Sequence, residues 1–205
     1  MTTKDKVFLL TPIGVAEYPF LSSPDTKYVA QGEYKVKLKL GLTDEAQKLM
    51  SAIEDCATRA YDKATAKAAA AGKRPPKKAD TPIFNNGTAI MLTAKLKASG
   101  VNKTTNQVFH QAPRIFDASN ALWDKNTKVT HGSKLRLCVE VVEYDSPTTG
   151  AGVTLRLKDV QVIELGTGFS EGDSPFGAIE QAPSFGAVSQ FAGGGLAGEE
   201  DDGDF

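Results

Sequence analysis

The sequence predicts a mainly β domain, a small barrel of mostly antiparallel strands with one long inserted α-helix, followed by a disordered acidic tail. Three observations carry this reading. Residues 34–40, YKVKLKL, alternate apolar and basic side chains with period two, the mark of a strand half buried in a sheet. Residues 44–71 place Ala46, Leu49, Ile53, Cys56 or Ala57, Ala60 and Ala64 at three- and four-residue spacing, which is one apolar helical stripe. From Gly166 onward there is no Lys or Arg, and 10 of the 40 residues are Gly. Such a segment cannot bury enough surface to offset the entropy of ordering it. The expected division is therefore a folded domain over 1–165 and a disordered tail over 166–205.

Taken in order, a short strand is expected at 6–10. Tyr18, Phe20 and Tyr28 follow in a segment containing Pro and Ser, with no periodicity that assigns them to a core. The strand at 34–40 leads into DEAQ at 44–47, which reads as an Asp N-cap with Gln three residues on, a capping-box variant. The helix then runs to Gly72. GKRPPKKAD at 72–80 holds two consecutive prolines and is read as an exposed basic loop. Strand patterning resumes at 88–98 and at 134–144, KLRLCVEVVEY. A turn at 147–152, PTTGAG, precedes a last strand at 153–165. A further short strand is expected around RIF at 113–117, and Trp123 is assigned to the core.

Charge is distributed unevenly. The chain carries a net −1, but residues 166–205 hold eight acidic residues and no basic ones, leaving 24 basic against 17 acidic residues before them. A body of net +7 with an acidic tail points to a polyanionic partner. Two cysteines, Cys56 and Cys138, far apart and without a CxxC pattern, argue against a disulfide framework and a zinc site. The N-terminal residues lack the apolar stretch of a secretion signal, and no run is long enough to span a bilayer. An intracellular protein without membrane attachment is expected. Only two histidines are present, and no phosphate-binding loop, metalloprotease or serine-nucleophile motif occurs, so no catalytic residue, cofactor or metal is assigned.

The positive charge sits on strands. Same-face neighbours on a strand are ~6.6 Å apart, so Lys35, Lys37 and Lys39 form a stripe of ~13 Å, and Lys95 with Lys97, Lys134 with Arg136, and Arg156 with Lys158 repeat the pattern. Any one pair can be the solvated face of a sheet or the blunted edge of one; four together in a basic body suit binding of a polyanion. Tyr144 shares a face with Lys134 and Arg136 by even spacing. With Tyr18 and Phe20 it supplies the rings that, interleaved with cations, make the stacking platform of single-strand binders.

GEYKVKL, the Ala-rich helix, the Pro/Lys loop, PIFNNGT, GSKLRLCVEVVEY, GAGVTLRLKDVQVIEL and the closing DGDF, in that order, resemble the single-stranded DNA-binding proteins of the T-seven-like short-tailed bacteriophages. The likeness covers about 1–165 and the extreme C-terminus. It implies an OB-fold, a five-stranded antiparallel barrel with an extra helix between early strands, and a basic, aromatic-lined groove for single-stranded DNA. It also implies a tail that contacts the phage DNA polymerase and primase-helicase, a homodimer, and action in the cytoplasm of the infected bacterial host. By motif Tyr144 matches a groove aromatic and Lys35 the lysine of the GxYKV strand; Lys4 or Lys6 corresponds to a basic N-terminus. Ser146 departs from the resemblance, standing where a second ring is expected, so stacking there is weaker or another ring such as Tyr18 or Phe20 compensates.

The tail ends in Glu199, Glu200, Asp201, Asp202, Asp204 and Phe205. A Gly-rich chain of 40 residues has an r.m.s. span of ~35 Å, against a radius of gyration of ~15 Å for a body of 165 residues. It can reach any face of its own domain. The expected role is a polyanion mimic that competes for the basic groove and, once displaced by DNA, presents Phe205 to a partner's pocket. Within the tail FGAIEQ and FGAVSQ, at Phe176 and Phe185, form an imperfect nine-residue repeat that is either low-complexity drift or a row of docking points. Alternatives are an RNA-binding cold-shock-like chaperone on the same barrel, a scaffold protein whose basic strands are only solvated faces, and a nuclease.

Overall fold

Strand alternation and helical stripe both find their partners in one barrel. The computed structural model describes residues 6–102, 104–124 and 127–167. The chain divides into two units, Met1–Ser170 and Glu171–Phe205, and every described residue belongs to the first. The expected tail beyond Thr167, with its FGA repeat, lies outside the described residues. In chain order the elements are β1 (Val7–Leu10), β2 (Gly14–Asp25), β3 (Glu33–Leu40), α1 (Asp44–Ala70), β4 (Ile83–Asn85), β5 (Ile90–Lys97), β6 (Ser99–Val101), β7 (Val108–His110), β8 (Arg114–Phe116), β9 (Lys134–Ser146) and β10 (Gly150–Glu164).

Five strands close on themselves. β2 pairs with β3, β3 with β5, β5 with β10, β10 with β9, and β9 with β2. This ring is the small barrel of an OB-fold, with α1 inserted between its second and third strands. Four of its five seams are antiparallel. The fifth, β5 against β10, is parallel and has one registered pair, Lys95 opposite Arg156. β1 lies outside the ring along β9, β8 along β10 and β4 along β5, while β6 and β7 form a separate hairpin.

The interior follows the sequence period. Val36, Leu38 and Leu40 of β3 meet Leu92 and Ala94 of β5, Leu135, Leu137 and Val139 of β9, and Leu155, Leu157 and Val160 of β10, all buried. Two one-residue register shifts in β10, at Lys158 and at Ile163, re-aim its later residues; such bulges let a long strand curve around a barrel. The buried residues of α1 are Ala46, Leu49, Ile53, Cys56, Ala57, Ala60 and Ala64, the stripe expected from the sequence. Lys63 and Lys67 tie its second half to β9 through Glu143 (2.9 Å) and Asp145 (3.8 Å). The N-cap lies one residue earlier than expected. Thr43 is extended and its hydroxyl accepts from the Ala46 amide at 3.3 Å, which makes Asp44 and Glu45 first-turn acids that complement the helix dipole. Trp123 is partly buried against the core and donates its ring N–H to the Thr127 carbonyl.

Where the sequence shows no period, the structure has a strand nonetheless. β2 runs through Tyr18, Pro19, Phe20 and Pro24, and its register to β3 shifts between Glu17 and Phe20 and again before Asp25. Tyr18 takes the left-handed conformation, with φ of 48°. A bulge and two prolines erase the alternation that would have revealed the strand.

The motifs carrying the family resemblance are closures of the backbone. In GSKL, the Ser133 side chain is fully buried; its hydroxyl donates to the Thr130 carbonyl and accepts from the Gly166 amide. In GAGV, Gly150 has φ of +88°, and a Cβ there would collide with the Lys77 carbonyl oxygen. The Pro/Lys loop is thereby strapped to β10, with the Ala151 amide donating to Lys77 and the Ala79 amide to Ala151. Among the described residues, no helix is long and apolar enough to cross a membrane.

Candidate nucleic-acid interface

The outward faces of the barrel strands bring cations and rings into register. Phe20 of β2 lies opposite Lys35 of β3, Lys35 opposite Lys95 of β5, Lys95 opposite Arg156 of β10, and Arg156 opposite Glu140 of β9. At ~4.8 Å per strand interval, the path from Phe20 to Arg156 is ~14 Å. These residues are far apart along the chain. Only the register makes them neighbours.

The row begins with an aromatic cluster. The Lys35 ammonium lies 5.1 Å from the Phe20 ring centroid and 6.0 Å from that of Tyr28, and Lys27 lies 5.2 Å from Tyr28. Tyr28, in the turn between β2 and β3, is 79% exposed. Cations held over ring faces are attracted by the ring quadrupole, and both rings remain exposed, Phe20 less than Tyr28. β3 carries the row's flank. Lys37 sits opposite Glu17 and Thr93, and Lys39 opposite Val15 and Met91.

Most of these cations already hold a carboxylate. Lys35 bonds Asp25 at 2.6 Å, Lys37 approaches Glu17 at 3.8 Å, and Lys95 approaches Glu33 at 3.7 Å. Glu140 is only 5% exposed and takes both Arg156, at 3.3 Å, and Lys158, at 3.8 Å. The hydrogen bond from Lys35, followed by the Lys27 amide, holds the Asp25 carboxyl below its ordinary value of 3.8. Among the described residues Lys39 and Lys97 have no acid partner. The acids are the part of the site that sequence reading did not find, since the carboxylates come from different strands.

The remaining expected residues are distributed elsewhere. Lys134 is outward on β9, in a second row with Lys39 across Val15, and bonds Glu164 at 2.6 Å. Arg136 shares that face but donates to the Thr11 carbonyl at 3.1 Å. Tyr144 keeps its parity with both, because β9 pairs with β10 without a bulge of its own, yet ten residues of strand put it ~33 Å from Lys134. There it lies opposite Gly152. Tyr18, 71% exposed, stands against His131, with ring centroids 5.4 Å apart. Lys6 is exposed beside β1 and lines a cavity with Arg59, Lys63 and Glu140. Lys4 and the acidic residues of the tail lie outside the described residues.

A ring that the sequence reading passed over belongs to this face. Phe109 of β7 lines a cavity with Lys95, Lys97 and Arg156. Its signal was weak, a VFH triplet between Asn-rich and Pro-containing turns. Among the described residues no group of three His, Cys, Asp or Glu side chains could hold a metal ion. Cations spaced along strands and exposed rings suit an extended polyanion with unpaired planar bases.

A family described as single-stranded DNA-binding protein, bacteriophage T7, matches residues 13–165. The chain belongs to this family. No curated protein sequence matches it. Among solved structures it is similar to gp2.5, a single-stranded DNA-binding protein encoded by bacteriophage T7, at 27% identity and a TM-score of 0.72, over 82% of this chain and 97% of that one. It is also similar to the single-stranded DNA-binding protein of bacteriophage Enc34, solved in complex with ssDNA. There the identity is 11% and the TM-score 0.57, over 82% of this chain and 96% of that one. At that identity the likeness is one of fold. The family is a non-enzymatic one, in keeping with a face that offers charge and rings but no reactive constellation.

Proposed function

We propose that the chain is a sequence-independent single-stranded DNA-binding protein of phage DNA replication and recombination. The observation that carries the reading is the registered row Phe20, Lys35, Lys95 and Arg156, found in a member of this family. Phosphates meet Lys35, Lys95 and Arg156 at its centre, with Lys37, Lys97 and Lys158 on its flanks; Lys39 and Lys134 extend the basic surface and Tyr144 takes a base at the far end of β9. Neutralised phosphates release counterions, giving a log–log salt slope of roughly −0.7 per contact. Bases stack on Phe20 and Tyr28. A duplex cannot use these rings, because its bases are already stacked and paired.

The tail completes the reading. Its acidic residues compete for the basic row when DNA is absent, and tethering at effective concentrations of order mM suffices for a weak competitor. Displaced by DNA, the tail offers Phe205 to the phage DNA polymerase and primase-helicase. Annealing of complementary strands, a homodimeric state and action in the cytoplasm of the infected bacterial host belong to the same proposal.

The test is fluorescence anisotropy of labelled oligo(dT), a matched RNA oligomer and a matched duplex, for the full chain and for a truncation after Thr167 that keeps the Gly166 bonds. Single-stranded DNA should bind far better than duplex, and truncation should tighten binding most at low salt. Equal binding of single strand and duplex would overturn the reading. Preference for RNA would move it to a cold-shock-like chaperone.

A further inference from the structure

The hairpin β6–β7 has no place in the five-stranded ring, yet it is bonded to the barrel beside the cation row. The Ser99 hydroxyl donates to the Gln31 carbonyl at 2.9 Å. The Gln111 backbone donates to Ala98 at 2.8 Å and its side-chain amide to the Lys97 carbonyl at 2.9 Å. The hairpin is thus fixed both to the β2–β3 turn and to the end of β5.

Its ring is placed by a glycine. Phe109 is registered opposite Gly100, and a Cβ on Gly100 would come within 2.9 Å of the ring's Cζ. Glycine lets the ring lie against the backbone, covering one side of it. Phe109 is still 37% exposed, and it lines a cavity of about 440 Å³ with Glu33, Lys95, Lys97, Gln111, Thr154 and Arg156. That volume is within the range of small-ligand sites, which combine apolar or aromatic walls with a few polar groups.

We propose that this cavity is a nucleotide subsite: one unpaired base stacks on Phe109, and its phosphate is met by Lys97 with Arg156 or Lys95 beside it. Lys97 matters because it has no acid partner among the described residues, so a phosphate reaches it without displacing a carboxylate. Gln111 spends its amide N–H on the Lys97 carbonyl, which holds that strand end still under the ligand. The hairpin then acts as one jaw of a clamp whose other jaw is the barrel face. The subsite rests on the reading of the chain as a single-strand binder.

The experiment compares wild type, Phe109→Leu and Phe109→Trp with labelled oligo(dT) over a salt series. Leucine keeps an apolar contact with Gly100 but cannot stack. It should weaken binding by about 5- to 150-fold, the equivalent of one stacked base, with the salt slope unchanged because no charge is altered. Phe109→Trp keeps a ring on which a base can stack, and the emission of its added indole should be quenched by oligo(dT) beyond any change from Trp123 in wild type. A wild type that binds oligo(dT) while Phe109→Leu binds equally well, or while the added emission of Phe109→Trp ignores the DNA, overturns the subsite and leaves the proposed function standing. A wild type that does not bind oligo(dT) overturns both.

Discussion

Replacing Lys35, Lys95 and Arg156 together by glutamine tests the centre of the interface. The three occupy consecutive strands in one registered row, so a single strand crossing it meets all three. If each contacts one phosphate, their removal flattens the log–log salt slope by ~2.1, three times the ~0.7 per contact of single strands. Between 50 and 200 mM salt the wild type should therefore lose roughly 18-fold more affinity than the variant. Stability should fall. The cations repel one another by less than ~1 kcal/mol per neighbouring pair at this spacing in water, and the ion pairs of Lys35 and Lys95 are worth ~0–1 kcal/mol each, whereas the loss of Arg156 leaves the nearly buried Glu140 with Lys158 alone, at a cost of up to about 3–5 kcal/mol. Anisotropy of labelled oligo(dT) over the salt range reads the slope, and a thermal melt reads the fold. An unchanged slope in a folded variant would refute the placement of phosphates on this row.

Arg136→Gln should behave in the opposite way. Its bond to the Thr11 carbonyl is lost at a cost of about 1–3 kcal/mol, visible in urea denaturation, while the salt slope stays that of wild type. Ile53→Ala empties a fully buried position where α1 meets the barrel and should cost about 2–5 kcal/mol in the same assay, with oligo(dT) affinity unchanged at temperatures where the variant is folded. Asp25 is held below its ordinary value by Lys35, so its contribution to stability is present above pH 3.8 and is lost as the pH falls through the lower folded-state value. Comparing acid unfolding of wild type and Asp25→Asn should show that loss in the wild type alone; identical acid limbs would contradict it.

Much of this fold is readable from side-chain period. YKVKLKL gives β3 and its faces, and the stripe from Ala46 to Ala64 gives the buried side of α1 residue by residue, because both elements obey one local geometry along their length. β2 is hidden for the complementary reason. Its bulge at Tyr18 and its two prolines break the period, and only pairing with β3 and β9 keeps it extended. The hairpin that carries Phe109 is three residues per strand, too short to show any period at all. For the interface, strand by strand, the cations are legible but their neighbours are not. Lys35 and Asp25, or Arg156 and Glu140, are ten and sixteen residues apart, and only register joins them. Tyr144 makes the same point from the other side: its face is read correctly, but a face extends over the whole strand, and ~33 Å of β9 separates it from Lys134.

The parallel seam between β5 and β10 has one registered pair, and that pair is Lys95 with Arg156. Two like charges therefore sit side by side at the thinnest closure of the barrel. On the proposed reading, a phosphate lodged between them would turn a repulsion into a bridge, and the ligand would act as a clasp on the ring that presents it. Amide exchange along Ala94–Lys97 and Leu155–Leu157, beside that pair, should slow on DNA binding more than along Val160–Val162, farther along the β9–β10 ladder. In that sense the barrel would be completed by what it binds.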